Sequence, residues 1–187
     1  MNKVLCCGLM IGMMTVFSPL LKSEDAQNLI QNYQLRSSNT NIPDGWNWFL
    51  DKSVIRVIPD TETNIVEISE DTDKYVPSIS NFVRIDGFKT YKLSVEMKTE
   101  NISKNAAVYY YWTDANGKEI TRERFLTKLS GTKNWEKKEQ IISPENPPET
   151  KGIKIILAVY GVKGGAGKAW FRNPCLTEVV PEKKKLQ

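Results

Sequence analysis

The sequence predicts an all-β fold, an antiparallel β-sandwich or jelly roll, and three observations carry that expectation. No segment beyond the N-terminal leader repeats apolar residues at the 3.6-residue interval of an amphipathic helix. Apolar and polar residues instead alternate in short runs. Tyr91, Leu93, Val95 and Met97 oppose Lys92, Ser94, Glu96 and Lys98, and Ile153, Ile155, Leu157 and Val159 oppose Lys154, Ile156, Ala158 and Tyr160. Successive side chains of a strand point to opposite faces, so each run is half-buried. Turn signals (Pro43-Asp44-Gly45, Pro59-Asp60, Asp86-Gly87, Asn116-Gly117) divide the chain at regular spacing. About nine or ten short strands result, the pattern of a sandwich rather than of a parallel α/β sheet.

The first element is a leader. Met1-Asn2-Lys3 forms a basic head, residues 4–21 carry no charge, and polar sequence begins at Lys22-Ser23-Glu24-Asp25. This reads as a secretory signal over 1–23, cut near Ser23 or Ala26, with an uncleaved N-terminal anchor as the alternative. A single domain then spans 24–180, followed by a basic tail at 181–187 containing Lys183-Lys184-Lys185. The whole chain has 187 residues, 26% of them charged and 40% hydrophobic, which suits one folded domain with its own core. Loss of Lys3 and Lys22 with the leader lowers the formal net charge of +4 by two. That balance does not point to nucleic acid, and no membrane contact is expected after cleavage. Loss of Cys6 and Cys7 leaves Cys175 as the only thiol, so the core rather than an internal disulfide must stabilise the domain.

Strands are expected at 54–58, 64–69, 78–85 and 89–99, then at 106–113 and 119–126, 135–142, 153–160 and 169–179. The central stretch is Ala-Ala-Val-Tyr-Tyr-Tyr-Trp-Thr-Asp-Ala-Asn-Gly-Lys-Glu-Ile at 106–120. Asn116-Gly117 predicts a type I′ hairpin there, in which both central residues take positive φ. Gly131-Thr132 is expected as a turn and 161–167 as a hairpin loop. In the central strand Ala106, Val108, Tyr110 and Trp112 share one face, while Ala107, Tyr109 and Tyr111 share the other. Both faces are apolar enough to bury, so one of them is a candidate contact surface.

The order NLIQN, IPDGW, GFKTYKLSVEMKT, VYYYWTDANGKEI, GTKNWEKKE, IKIILAVYG and AGKAWFRNPCLTEV resembles carbohydrate-binding modules with the galactose-binding-like jelly roll. The resemblance runs from about residue 28 to about residue 179. It implies a lectin-like function and places Trp46, Trp112, Trp135 and Trp170 as packing aromatics. Many such modules hold a structural calcium through an acidic residue after the opening strand and another after the aromatic pair of the last strand. Arg36 and Arg172 occupy those positions here, and guanidinium groups offer calcium no oxygen. The site is therefore expected to be empty or replaced by an Arg-to-Glu contact, with no metal and no cofactor.

Tyr109, Tyr111 and Tyr160 lie at the parity opposite the core rows. Flat sugar C–H faces stack on such rings while hydroxyls meet nearby polar groups; a loop or protein partner packed over the same face is the competing reading. Trp48 and Phe49 either fold over the edge of this surface or plug a loop. Arg122, Arg124 and Lys154 are candidate border residues that would favour acidic sugars, with simple solvation as the ordinary role of such charges. The candidate ligand-binding set is Tyr109, Tyr111, Tyr160, Trp48 and Arg124.

Catalysis has little support. The chain contains no histidine, which removes Ser-His and Cys-His pairs. Gly161-Val162-Lys163-Gly164-Gly165-Ala166-Gly167-Lys168 lacks the residue order of a phosphate loop and no helix follows it. Asp60 and Glu62 fall in a surface turn. The expected protein is an exported, non-catalytic carbohydrate-binding protein whose ligand is a polysaccharide or oligosaccharide. It acts alone or with a separately encoded enzyme or surface protein. The alternative is a cell-surface or periplasmic interaction module of the same fold.

Overall fold

The computed structural model describes residues 27–38 and 41–180; the expected leader at 1–23 and the basic tail at 181–187 lie outside them. The described residues form eight strands and one short 3-10 turn. They are β1 (Asn47–Phe49), β2 (Ile55–Ile58), β3 (Ile65–Ser69), β4 (Ser78–Arg84), β5 (Tyr91–Thr113), β6 (Arg124–Ile142), β7 (Gly152–Val159) and β8 (Lys168–Glu178). All strand pairings are antiparallel.

The layers follow from how β5 is shared. Its first half pairs with β8 on one side, and its second half pairs with β7. β6 runs beside both halves. One layer is therefore β2-β3-β8-β5-β6 and the other is β1-β4-β7-β5-β6, a single hydrogen-bonded sheet curled over a common core. Four expected strands are thus two: 89–99 and 106–113 merge into β5, and 119–126 and 135–142 merge largely into β6. The expected turn at Gly131-Thr132 is a bend within β6, where Gly131 (φ +66°) lies opposite Ile102.

The corner also explains a switch in parity. Leu93, Val95 and Met97 face the core from odd positions, Val108, Tyr110 and Trp112 from even ones, and all six are buried. Register shifts between Met97 and Ala106, with Asn101 at φ +50°, supply the change. A bulge adds a residue to one strand and bends it, so the two halves present opposite parities to the same interior. Ile79, Ile153, Ile155 and Leu157 meet Val66, Ile68, Phe171 and Leu176 across that interior.

Two further expectations change. The turn after β5 is not type I′: of the pair Asn116-Gly117 only Gly117 has positive φ (80°). Gly117 N–H donates to Asp114 O (3.2 Å) and Asp114 N–H to Lys118 O (2.9 Å), the pattern of a longer loop with a left-handed glycine after the turn. The loop 161–167 is not a hairpin either, because β7 and β8 belong to different layers and the loop crosses between them. Trp46 and Trp112 are core residues, but Trp135 and Trp170 are only half-buried. Trp170 alternates with buried Ala169 and Phe171 and therefore points outward.

Candidate functional site

The outer face of the β1-β4-β7-β5-β6 layer can be read as cross-strand rows, because residues in register share a face. Phe49, Ser78, Ala158 and Ala107 form one row; Asn47, Ser80, Ile156, Tyr109 and Phe125 form the next; Phe82, Lys154 and Tyr111 form a third. Ser78 and Ser80 on β4 and the buried Ile156 on β7 lie low between bulkier side chains on β1 and β5. A cleft of about 490 Å³ results, with Trp48 and Phe49 at one wall, Tyr109 and Tyr111 at the other, and Ser78, Ser80 and Ile156 between.

The aromatic wall is held by ring contacts. Tyr109 meets Tyr111 edge to face at 5.8 Å, and Phe125 at 5.5 Å. Lys128 Nζ sits 3.4 Å from the Phe125 ring centre. Such quadrupole-driven contacts fix ring orientation as well as burying area. Tyr160 lies just past the end of β7 and meets Tyr75 edge to face at 5.8 Å, with Lys104 Nζ 5.7 Å over the Tyr75 ring. Burial pushes the Tyr109 phenol far above its ordinary range, with the neighbouring tyrosines and Glu123 and Glu119 adding to the rise. Burial followed by Glu123 also raises Tyr111 and Tyr160. All three phenols therefore remain protonated, able to donate as well as accept hydrogen bonds.

The structure brings Tyr109, Tyr111 and Trp48 together in the cleft, with Phe49 beside them and Tyr160 close enough to influence Tyr109 electrostatically. It does not bring Arg124 there. Arg124 is in register with buried Tyr110, on the opposite parity to Tyr109, and its Nε donates to Glu145 Oε1 at 2.8 Å. Lys154 does line the cleft, but Nζ donates to Glu119 Oε1 at 3.1 Å. Two of the three cations expected to favour acidic sugars are thus paired with carboxylates. Sequence reasoning missed Asn47, Ser78, Ser80, Glu119 and Tyr75. The alternation of Ser78 and Ser80 with buried Ile79 was a usable signal for the serines. No local signal places Asn47 opposite Ser80.

The Arg172 position considered for calcium does not fit it. Arg172 Nε donates to Glu96 Oε2 at 2.8 Å, and its guanidinium lies 4.2 Å from the Trp135 ring centre. A guanidinium engaged in this way brings calcium no oxygen donor.

No protein-family model matches the sequence, and no curated protein is detectably similar to it. The fold is the jelly-roll β-sandwich of carbohydrate-binding modules. The chain superposes on a family 61 carbohydrate-binding module in complex with β-1,4-galactotriose, with TM-score 0.58 and 18% identity, over 82% of this chain and 100% of that one. A family 16 carbohydrate-binding module gives TM-score 0.54 and 17% identity over 81% of this chain and 100% of its own length. The enzymatically active domain of bacteriophage CBA120 tailspike protein 4 gives TM-score 0.61 and 13% identity, but this chain spans only 21% of it. An arabinose-bound GH51 α-L-arabinofuranosidase is matched over 26% of its length. At these identities the likeness is one of fold.

Proposed function

We propose that the protein is an exported, non-catalytic carbohydrate-binding module, in which sugar rings stack against Tyr109 and Tyr111 with Trp48 and Phe49 closing the opposite wall. One observation carries this reading: four aromatic residues from two strands distant in sequence converge on a single open cleft of a jelly-roll layer. The cleft also mixes the chemistry a sugar needs. Rings offer flat apolar faces, while Asn47, Ser78, Ser80 and the Glu119–Lys154 pair offer donors and acceptors for hydroxyls. The fold supports the reading by analogy with the family 61 and family 16 modules. Among the described residues no helix is long and apolar enough to cross a membrane. Export rests on the leader.

Affinity electrophoresis against a panel of soluble polysaccharides tests this directly. Retardation by one glycan, lost in Tyr109→Ala/Tyr111→Ala and retained in Trp135→Ala, is the expected result. A folded protein that no glycan retards, or one whose retardation Trp135→Ala alone removes, would overturn it. A stable dimer or a co-purifying partner masking the tyrosines would then favour a protein-binding face.

A further inference from the structure

Resting on the carbohydrate-binding reading, we propose that the cleft is one half of an extended groove for an internal stretch of a glycan chain, with a second stacking subsite on Phe82 flanked by Arg84 and Asn116. A second depression, of about 290 Å³, lies along the same outer face. Its walls include Asn47, Ser80 and Lys154, which also line the first cleft. The two are therefore neighbouring parts of one trough. It runs along β4 from Ser78 past Phe82 to Arg84 and the tip of the β5–β6 turn.

Phe82 is built as a platform. It shares a row with Lys154 and Tyr111 and keeps 38% of its surface exposed. The ring rests on the β7 backbone at Gly152. A Cβ there would come within 2.4 Å of Phe82 Cε2 and 2.7 Å of Cζ, so only glycine lets the ring lie this close. Its open surface lines the trough. An exposed phenylalanine seated on a strand backbone is costly to hydrate and gains when a flat apolar surface covers it.

The polar groups beside it are uncommitted. Among the described residues, the Arg84 side chain makes no hydrogen bond or ion pair, and the Asn116 side-chain amide makes none either. The Asn116 backbone N–H alone is engaged, with Asp114 Oδ1 at 2.8 Å. Lys154, at the junction of the two halves, is by contrast paired with Glu119. Guanidinium and amide donors beside an open ring suit a sugar unit, whose faces are apolar and whose rim carries hydroxyls. The six-residue step from Ser78 to Arg84 covers roughly 20 Å along the strand, room for several sugar rings rather than one.

Calorimetric titration of the full chain tests this, using β-1,4-linked galacto-, gluco- and xylo-oligosaccharides from dimers to hexamers together with their parent polysaccharides. In the series that binds, affinity should climb with length by about tenfold or more beyond the dimer, as stacking of a further ring would give. Phe82→Ala should flatten that climb, weakening the hexamer about tenfold while leaving the dimer unchanged. Phe82→Leu preserves packing on Gly152 without the aromatic face and should behave like Phe82→Ala. Arg84→Ala, an exposed change, should weaken the hexamer more than the dimer. Equal affinity for all lengths, or Phe82 and Arg84 variants that bind hexamer as the wild type does, would overturn the second subsite and leave the first standing. Absence of binding to every oligosaccharide and polysaccharide would overturn both.

Discussion

On one outer face of the sandwich Tyr109 and Tyr111 meet edge to face and leave a cleft beside them. On the other, Trp170 and Trp135 each lie under a cation: Lys98 Nζ is 5.0 Å from one ring centre, and the Arg172 guanidinium 4.2 Å from the other. The carboxylates of that second face are equally engaged. Glu67, buried, accepts from Trp170 Nε1 (2.8 Å) and Arg56 Nε (2.7 Å). Glu96 accepts from Arg172 Nε and Asn173 Nδ2, each at 2.8 Å. Both faces mix aromatic and charged residues, so composition does not separate them. The difference is what each ring has already met. A tryptophan with a cation over its face has little stacking surface left, and a carboxylate with two donors has little capacity for hydroxyls. Cations reach the first face as well, Lys52 over Trp48 at 5.7 Å and Lys128 over Phe125 at 3.4 Å, but among the described residues none lies over Tyr109 or Tyr111, and the cleft beside those two rings stays open.

Substitutions should separate the two faces, beginning with the largest effect. Tyr109→Ala/Tyr111→Ala should weaken glycan binding by about 100-fold, about 3 kcal/mol for two lost stacking contacts, as read by titration. Trp170→Ala should leave binding unchanged and lower unfolding stability by about 3 kcal/mol, since it deletes a large side chain and strips a donor from buried Glu67. Urea unfolding measures that loss, and a binding defect in Trp170→Ala would break the distinction.

The two faces should also govern opposite ends of the pH–stability profile. Burial alone would raise the Glu96 carboxyl, but donors from Asn173 and Arg172 outweigh it and hold the pKa below the ordinary glutamate value. Its contribution is therefore present above the unfolded pKa and lost as pH falls through the folded one. Glu96→Gln should make stability fall less steeply in acid. Tyr109 is shifted upward, chiefly by burial, so the folded state resists ionisation that the unfolded chain permits. Stability should decline as pH rises above the ordinary tyrosine range, and Tyr109→Phe should soften that alkaline decline. Thermal melts across pH would show both. The smallest effect belongs to Arg124→Ala. Its exposed pairing with Glu145 is worth about 0.5 kcal/mol or less, and glycan retention should not change.

Much of the open face was legible in the sequence, because side-chain parity along a strand is a local property. Tyr109, Tyr111 and Tyr160 could be assigned outward simply from the apolar rows they alternate with. The same rule applied to Trp170 would have put it outward too, beside buried Ala169 and Phe171. The family resemblance puts it among the packing aromatics instead, against its own parity. Arg124 failed for a different reason. It is expected at the border of the tyrosine face, but a register shift between Val108 and Tyr109 puts it opposite Tyr110. Bulges of this kind are decided by packing at a distance and leave little trace in the local pattern.

Residue type and short-range spacing alone set the all-β class, the alternation that sorts inward from outward residues, and the lack of histidine chemistry. Which outward residues meet depends on strand order and register. Asn47, Ser80, Ile156 and Tyr109 are far apart in the chain and become one row only through the pairing of β1 with β4, β4 with β7 and β7 with β5. Strand order and register come from satisfying backbone hydrogen bonds while burying the apolar rows in a shared interior. That condition acts on the whole chain at once, and no single segment contains it.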